Sequence, residues 1–227
     1  MRESAMGKRG ETRGNKFGAK TKRNLLTDEE VDRLIKACEG EAQELVVRTL
    51  LYTGMRISEF VHMRKSWLNW KGGFLQIPES QPCELHYECR RSRVVIDWST
   101  GERARISGMW RVKVPEAARA IPILPEAEPT LRRFFSRHDA VAELVPSRVD
   151  AWWIVKGAAK RAKLNKRVFP HVLRGTFASI LAGKDFDGLS IQSILGWKSI
   201  KTADEYVRLS PQRLVKMMKE KWSTTHD

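Results

Sequence analysis

Between Trp67 and Ile123 the apolar residues of this chain leave the helical period and take up the alternation of strands; on either side they follow the helical period. A chain patterned in this way folds as helices around a small sheet. Upstream, Thr27 and Glu30 form a capping-box pair, followed by Val31, Leu34 and Ile35 at helical spacing up to Gly40. A second helix is predicted from about Glu41 to Thr53, with Leu45, Val46, Thr49 and Leu50 inward and Gly54 as its stop, and a third opens near Arg56. The central runs FLQIP (74–78), VVIDW (94–98), WRVKV (110–114) and RAIPI (119–123) read as short strands. Helices are then expected over 125–135, 149–164, 171–182, 190–195 and 201–207, with Pro170 before one of them and Gly183 after it. The predicted class is α+β, mainly α, with a small three-stranded antiparallel sheet in one domain over 27–227. That domain carries an insertion at 79–108 in the sheet region and a tail helix at 211–227.

The remaining 26 residues cannot build a core. They hold Arg2, Lys8, Arg9, Arg13, Lys16, Lys20, Lys22 and Arg23 against Glu3 and Glu11, four glycines and little that is apolar, which predicts a disordered basic arm. The whole chain has 42 Lys and Arg against 27 Asp and Glu, a net +15, the balance of a protein that meets a polyanion. Charge alone leaves DNA, RNA and an anionic membrane surface open. No apolar run approaches the roughly 20 residues of a bilayer span; LVVRTLLY (45–52) is broken by Arg48, and the start RESAMGKRG is not of signal-peptide type. The expectation is a soluble cytoplasmic protein, associated with the nucleoid or, if viral, acting in the host cell. Cys38, Cys83 and Cys89 are an odd set in a reducing compartment, so no disulfide framework is expected.

Three segments carry groups suited to attack on a phosphodiester, which needs cationic donors, a nucleophile and an acid for the leaving oxygen. TGMRISEF (53–60) sets Arg56 at a helix start, where backbone amides could also face an anion, with Glu59 on the same helical face. HVLRGTF (171–177) places His171 and Arg174 on one face of a helix, an imidazole that can take a proton beside a guanidinium that forks onto phosphate. In LGWKS the indole of Trp197 can pack and donate a hydrogen bond, and Tyr206 follows nine positions later. Each alone has an ordinary structural explanation as a surface arginine, a capping pair or a core tryptophan. Of the other tyrosines, Tyr52 ends an apolar helix and Tyr87 sits in the insertion.

In order and spacing these segments resemble the catalytic domain of the tyrosine recombinases, the phage-integrase and Xer type, over about residues 25–215. The resemblance implies a site-specific DNA recombinase or integrase of a mobile element, phage, virus or plasmid, with Tyr206 as nucleophile and a 3′-phosphotyrosyl intermediate. Arg56, His171, Arg174 and Trp197 would be catalytic, Trp197 standing where relatives usually have histidine, and Glu59 a structural support. It further implies that a hairpin lysine protonates the leaving 5′-oxygen; Lys113 is the candidate, with Arg111, Arg105 and Arg103 as further phosphate donors. No cofactor is implied. The partners implied are double-stranded DNA and further copies of the chain, a tetramer on two DNA sites, with no membrane; Lys8, Arg9, Arg13, Lys16, Lys20, Lys22 and Arg23 would follow the DNA backbone. Alternatives are a type IB topoisomerase-like enzyme and a noncatalytic DNA-binding protein of the same fold. Two features depart from the family pattern: only the arm precedes Thr27 where a helical core-binding domain is usual, and the insertion carries PCELHYEC. There Cys83, His86 and Cys89 could hold zinc with a fourth ligand from elsewhere, but the spacing is looser than the usual paired cysteines, so the expectation is no metal and a hairpin extension touching DNA through Arg90, Arg91 and Arg93.

Overall fold

The computed structural model describes residues 23–83, 89, 93–96, 99–106, 108–208, 215, 218 and 219, with only the backbone described over 93–95 and 104–106. Lys8, Arg9, Arg13, Lys16, Lys20 and Lys22 of the arm, Tyr87, Arg90, Arg91 and His86 of the insertion and most of the expected 211–227 tail helix lie outside the described residues.

Helix α1 (Asp28–Lys36) begins at the expected capping box, in which Glu30 N donates to Thr27 Oγ1 and Thr27 N donates to a Glu30 carboxylate oxygen. It ends at Ala37 rather than at Gly40, which instead takes a left-handed conformation to open α2 (Gly40–Thr53). Domain order also starts earlier than Thr27. Leu26 is buried and its N–H donates to Thr176 Oγ1, the Leu25 carbonyl accepts from Lys166 Nζ, and Asn24 Oδ1 accepts from Arg167 N. The apolar pair Leu25–Leu26 is what ties this end of the arm down.

Helix α2 is the centre of the core. Leu45, Val46, Val47, Leu50 and Leu51 are fully buried on several faces, as a helix surrounded by other elements must be. It packs on α4 (Glu128–Phe135), α5 (Arg148–Arg161) and above all α6 (Pro170–Gly183), with the single turn α3 (Ile57–Phe60) between α2 and the sheet region. Gly54 ends α2 at φ +58°, where a side chain would collide with Phe177, so α2 and the loop to Arg56 lie directly against α6. Helices α7 (Gly188–Leu195) and α8 (Ile200–Arg208) close over the far side of α6, with Leu181, Ile191, Leu195, Ala203 and Tyr206 in a second apolar cluster. Among the described helices none is long and apolar enough to cross a membrane.

The expected three-stranded antiparallel sheet is present, with the runs at 74–78 and 119–123 as two of its strands and the unexpected pair Leu68–Asn69 as the third. It is ordered β1 (Leu68–Asn69), β2 (Phe74–Ile77), β7 (Arg119–Pro122), with Leu75 opposite Ile121 and Ile77 opposite Arg119. Pro122 is tolerated because β7 is an edge strand. The run at 94–98 does not join this sheet. Its described part, β4 (Arg93–Ile96), pairs with β5 (Arg103–Ile106) in a ribbon of its own, while β3 (Ser80–Pro82) pairs with β6 (Met109–Arg111) at the root of the insertion. The run at 110–114 is cut short because Pro115 opens a 3₁₀ turn, Pro115–Ala117.

Candidate active site

The C-terminal end of α7 is the hub of the site. An α-helix leaves its last carbonyls without intrahelical partners and carries partial negative charge there. Here three consecutive carbonyls are each taken by an arginine from a different element: Ile194 O by Arg119 Nε at 2.7 Å, Leu195 O by Arg174 Nη2 at 2.5 Å and Gly196 O by Arg56 Nη2 at 2.8 Å. Gly196 makes this possible. It turns the chain at φ +59°, with Trp197 N bonded back to Gln192 O, and a Cβ there would lie 2.8 Å from Arg119 Cδ.

Glu59 is the counter-charge at the middle. Only 1% exposed, it receives Arg56 Nη1 at 2.7 Å on one oxygen and Arg119 Nη2 at 3.2 Å on the other, while its Oε2 also accepts from Arg56 N. Burial alone would raise the Glu59 pKa; Arg119, Arg174 and Arg56 together overcome it and hold the carboxyl below the ordinary range. Of the backbone amides at this helix start, which the sequence suggests could face an anion, that of Arg56 is occupied by Glu59. Three guanidinium groups against one carboxylate leave two net positive charges, fixed before any ligand arrives.

Arg119 was missed in the sequence, where RAIPI reads as a plain strand. The signal was its phase: along β7 burial alternates, and Arg119 falls on the inward face with Ile121. An arginine at an inward strand position needs a buried acid, and Glu59 is that acid. Burial lowers the Arg119 pKa while Glu59 draws it back up.

Arg174 and His171 sit at the start of α6, whose first residue is Pro170. Arg174 is 5% exposed, donates also to Gly54 O at 2.5 Å, and lies with its Cζ 5.6 Å from the centre of the Trp197 ring. Burial first, then Arg56 and Arg119, push its pKa down, with Glu59 opposing. His171, one turn earlier, is exposed by surface area yet closely surrounded by protein. Burial, Arg174, Arg56 and Lys113 lower its pKa in that order, which favours the neutral, proton-accepting ring. Lys113 is exposed on the link between β6 and β7, near enough to His171 for its charge to be felt there.

Trp197 stacks on Tyr206 of α8 with ring centres 5.4 Å apart and planes at 20°. Tyr206 is 7% exposed; burial raises its phenol pKa, Arg174 pulls it down, and Glu205 adds to the rise. A phenol above its ordinary value is protonated at neutral pH, so attack requires that its proton be taken. Tyr52 is half-buried at the end of α2, its pKa raised by burial and by Glu126. The structure therefore gathers Arg56, Glu59, His171, Arg174, Trp197 and Tyr206 with the added Arg119, and sets Lys113 at the edge. Arg111 lies on β6 and Arg103 on β5, and Arg23 is exposed in the stretch that precedes α1.

Comparison with known proteins agrees with this architecture. Residues 101–213 match the model of the phage integrase family, a stretch that includes Lys113, Arg119, His171, Arg174, Trp197 and Tyr206. The tyrosine recombinase XerD of Listeria innocua is 26% identical over 205 residues, covering 86% of this chain and 61% of that protein. Among solved structures, the XerA recombinase superposes with a TM-score of 0.63 at 21% identity over 86% of this chain and 62% of that one. The Tn1549 transposon integrase bound to transposon right-end DNA gives 0.61 at 15% identity over 88% and 66%. The chain spans about three-fifths of the length of the curated relatives it matches.

Proposed function

The chain belongs to the phage integrase family as a tyrosine-recombinase catalytic domain, and on that premise we propose that it cuts and rejoins double-stranded DNA site-specifically through a 3′-phosphotyrosyl intermediate. The observation that carries the proposal is the convergence of Arg56, Arg119 and Arg174 on the carbonyls of Gly196, Ile194 and Leu195 at the end of α7, directly before Trp197, which stacks on Tyr206.

Arg56 and Arg174 bind the nonbridging oxygens of the scissile phosphate and stabilise the charge that grows there, while Arg119 and Glu59 hold them in place from behind. Tyr206 Oη attacks phosphorus as His171, neutral at physiological pH, accepts the phenolic proton. The bond from phosphorus to the 5′-oxygen breaks, and Lys113 supplies the proton to that oxygen. Attack by a free 5′-hydroxyl on the phosphotyrosine reverses the step and reseals the strand, so bond energy is conserved. Exchange between two duplexes needs four such centres, hence a tetramer on two DNA sites. Lys8, Arg9, Arg13, Lys16, Lys20, Lys22 and Arg23 give sequence-independent grip on the DNA backbone, each phosphate contact steepening the salt dependence of binding.

The test is a nicked DNA substrate from which the short released fragment, the one bearing the new 5′-hydroxyl, is lost so that resealing cannot occur. The native protein should accumulate a covalent protein–DNA adduct, and Tyr206→Phe should form none while binding DNA within a few-fold of native, because only the phenol oxygen makes the bond. Adduct in Tyr206→Phe, or none in the native protein bound to its site, would overturn the proposal.

A further inference from the structure

His62, Cys83 and Cys89 come together at the root of the insertion, and none of them takes part in the reaction described above. All three are buried, at 8%, 3% and 2% exposure. The His62 ring nitrogen and the two sulfurs lie within 4.8 Å of one another, with His62 Nε2 3.1 Å from Cys89 Sγ. Tetrahedral zinc, with bonds of about 2.0–2.3 Å, sets its ligand atoms about 3.5–3.8 Å apart, so a small adjustment, in which the His62–Cys89 pair opens, separates this cluster from a coordination set.

The imidazole is held as a metal-binding histidine is held. Its Nδ1 is 2.6 Å from Ser58 O, and since a carbonyl can only accept, the proton sits on Nδ1 and the Nε2 lone pair faces the sulfurs. The ring stacks on Trp110 at 5.2 Å, Trp110 leans on Trp67, and the His62 carbonyl accepts from Gln81 Nε2, whose Oε1 is fixed by Trp67 Nε1. The cysteines are positioned by main chain on the same side: Cys83 N donates to Gly108 O at 2.7 Å, and Gly108 N donates to Cys89 O.

From this geometry we infer that His62, Cys83 and Cys89 bind a zinc ion that clips the β-insertion to the turn following α3. The set of one imidazole and two thiolates selects a borderline-soft divalent cation. Binding converts both thiols to thiolates and releases their two protons to solvent, and a further ligand completes the tetrahedron. Because His62 lies three residues past Glu59 and the root strand β6 leads to Lys113, the clip joins the arginine side of the site to its lysine side. The inference concerns a structural ion and is independent of the phosphotyrosine chemistry.

The full-length protein, purified under reduction and without chelators, should contain about one zinc per chain by mass spectrometry of the metal. His62→Gln, Cys83→Ser and Cys89→Ser should each retain less than a tenth of that, while Cys38→Ser keeps all of it. If a variant does not fold, the native protein decides alone: cobalt titrated into chelator-stripped, reduced protein should give thiolate charge-transfer and intense tetrahedral d–d absorption at one equivalent. No zinc together with no cobalt spectrum would overturn the inference. So would a thiol assay of the unfolded, unreduced protein finding Cys38 alone free, since Cys83 and Cys89 would then be a disulfide. Neither outcome bears on adduct formation by Tyr206.

Discussion

The two flanks of the site are built on opposite terms. On one flank Arg119, Arg174 and Glu59 are buried and Arg56 is half-buried, each bonded to main-chain carbonyls or to another of the four. On the other, Lys113 and His171 reach the surface, with protein crowding His171 closely enough for burial to lower its pKa. The difference follows from the work assigned to each. Charge stabilisation gains most from donors fixed in advance in a dry setting, because no reorganisation then accompanies the reaction. Proton transfer needs groups that change charge, and burial penalises the charged form of any such group. A positive cluster can be locked into the core only when acceptors are already there. The α7 C-terminus and Glu59 are those acceptors.

The largest effect should come from breaking the locked flank. Arg174→Ala should cut adduct formation by at least roughly 10²–10³-fold, the scale for losing one transition-state donor. It should also lower stability, since Gly54 O and Leu195 O lose a buried partner at about 1–3 kcal/mol each. Cleavage kinetics on the nicked substrate and denaturant unfolding read the two effects separately. Near-native cleavage would mean that the guanidinium serves the fold alone.

Glu59→Ala should act first on stability. It leaves Arg119 buried beside Arg56 and Arg174 without the shared acid, and removing one partner of a buried ion pair costs about 3–5 kcal/mol. Glu59→Gln, which still accepts hydrogen bonds, should lose less. Equal unfolding midpoints for the native protein and Glu59→Ala would show that the arginines are held by the α7 carbonyls without it.

Sequence and structure differ along the same divide. His171 with Arg174 and Arg56 with Glu59 were legible because each pair lies within one helical turn, where spacing fixes geometry, whereas Trp197 and Tyr206, nine residues apart, were joined by the family resemblance. Most helices were legible to within a few residues for the same reason, their periods and caps being local. What could not be seen was convergence from afar. Arg119 meets Glu59 across 60 residues and His62 meets Cys89 across 27, and neither partner is visible in the other's neighbourhood. Which runs share the sheet was not legible, because runs of two to four residues carry too little alternation to choose among several pairings. Arg119 did leave one trace, an inward phase on β7.

On the open flank, Lys113→Ala should slow cleavage of an ordinary phosphodiester by roughly 10²-fold or more, the usual contribution of a general acid. A 5′-phosphorothiolate, whose sulfur leaves without a proton, should restore most of the rate. Poor rescue with intact DNA binding would leave Lys113 a phosphate contact.

The smallest expected effect tests whether the two exposed groups of this flank feel each other. The His171 pKa is lowered by burial and by the charges of Arg174, Arg56 and Lys113, so its ring is neutral through physiological pH and becomes protonated only in acid. Adduct formation on the phosphorothiolate substrate, which needs no acid, should therefore be flat above neutrality and fall as pH drops through a midpoint below the ordinary histidine value. Because the neutral ring is favoured in the folded state, the His171 contribution to stability is likewise present at neutral pH and lost in acid. Lys113→Ala removes one of the charges that disfavour the imidazolium, so the midpoint should move upward, less at high salt because both groups are exposed to screening. Titrating the His171 ring by NMR in the native and Lys113→Ala proteins, with His171→Gln to assign the signal, measures this without DNA. An unchanged midpoint would place the Lys113 ammonium too far from His171 to share a phosphate with it.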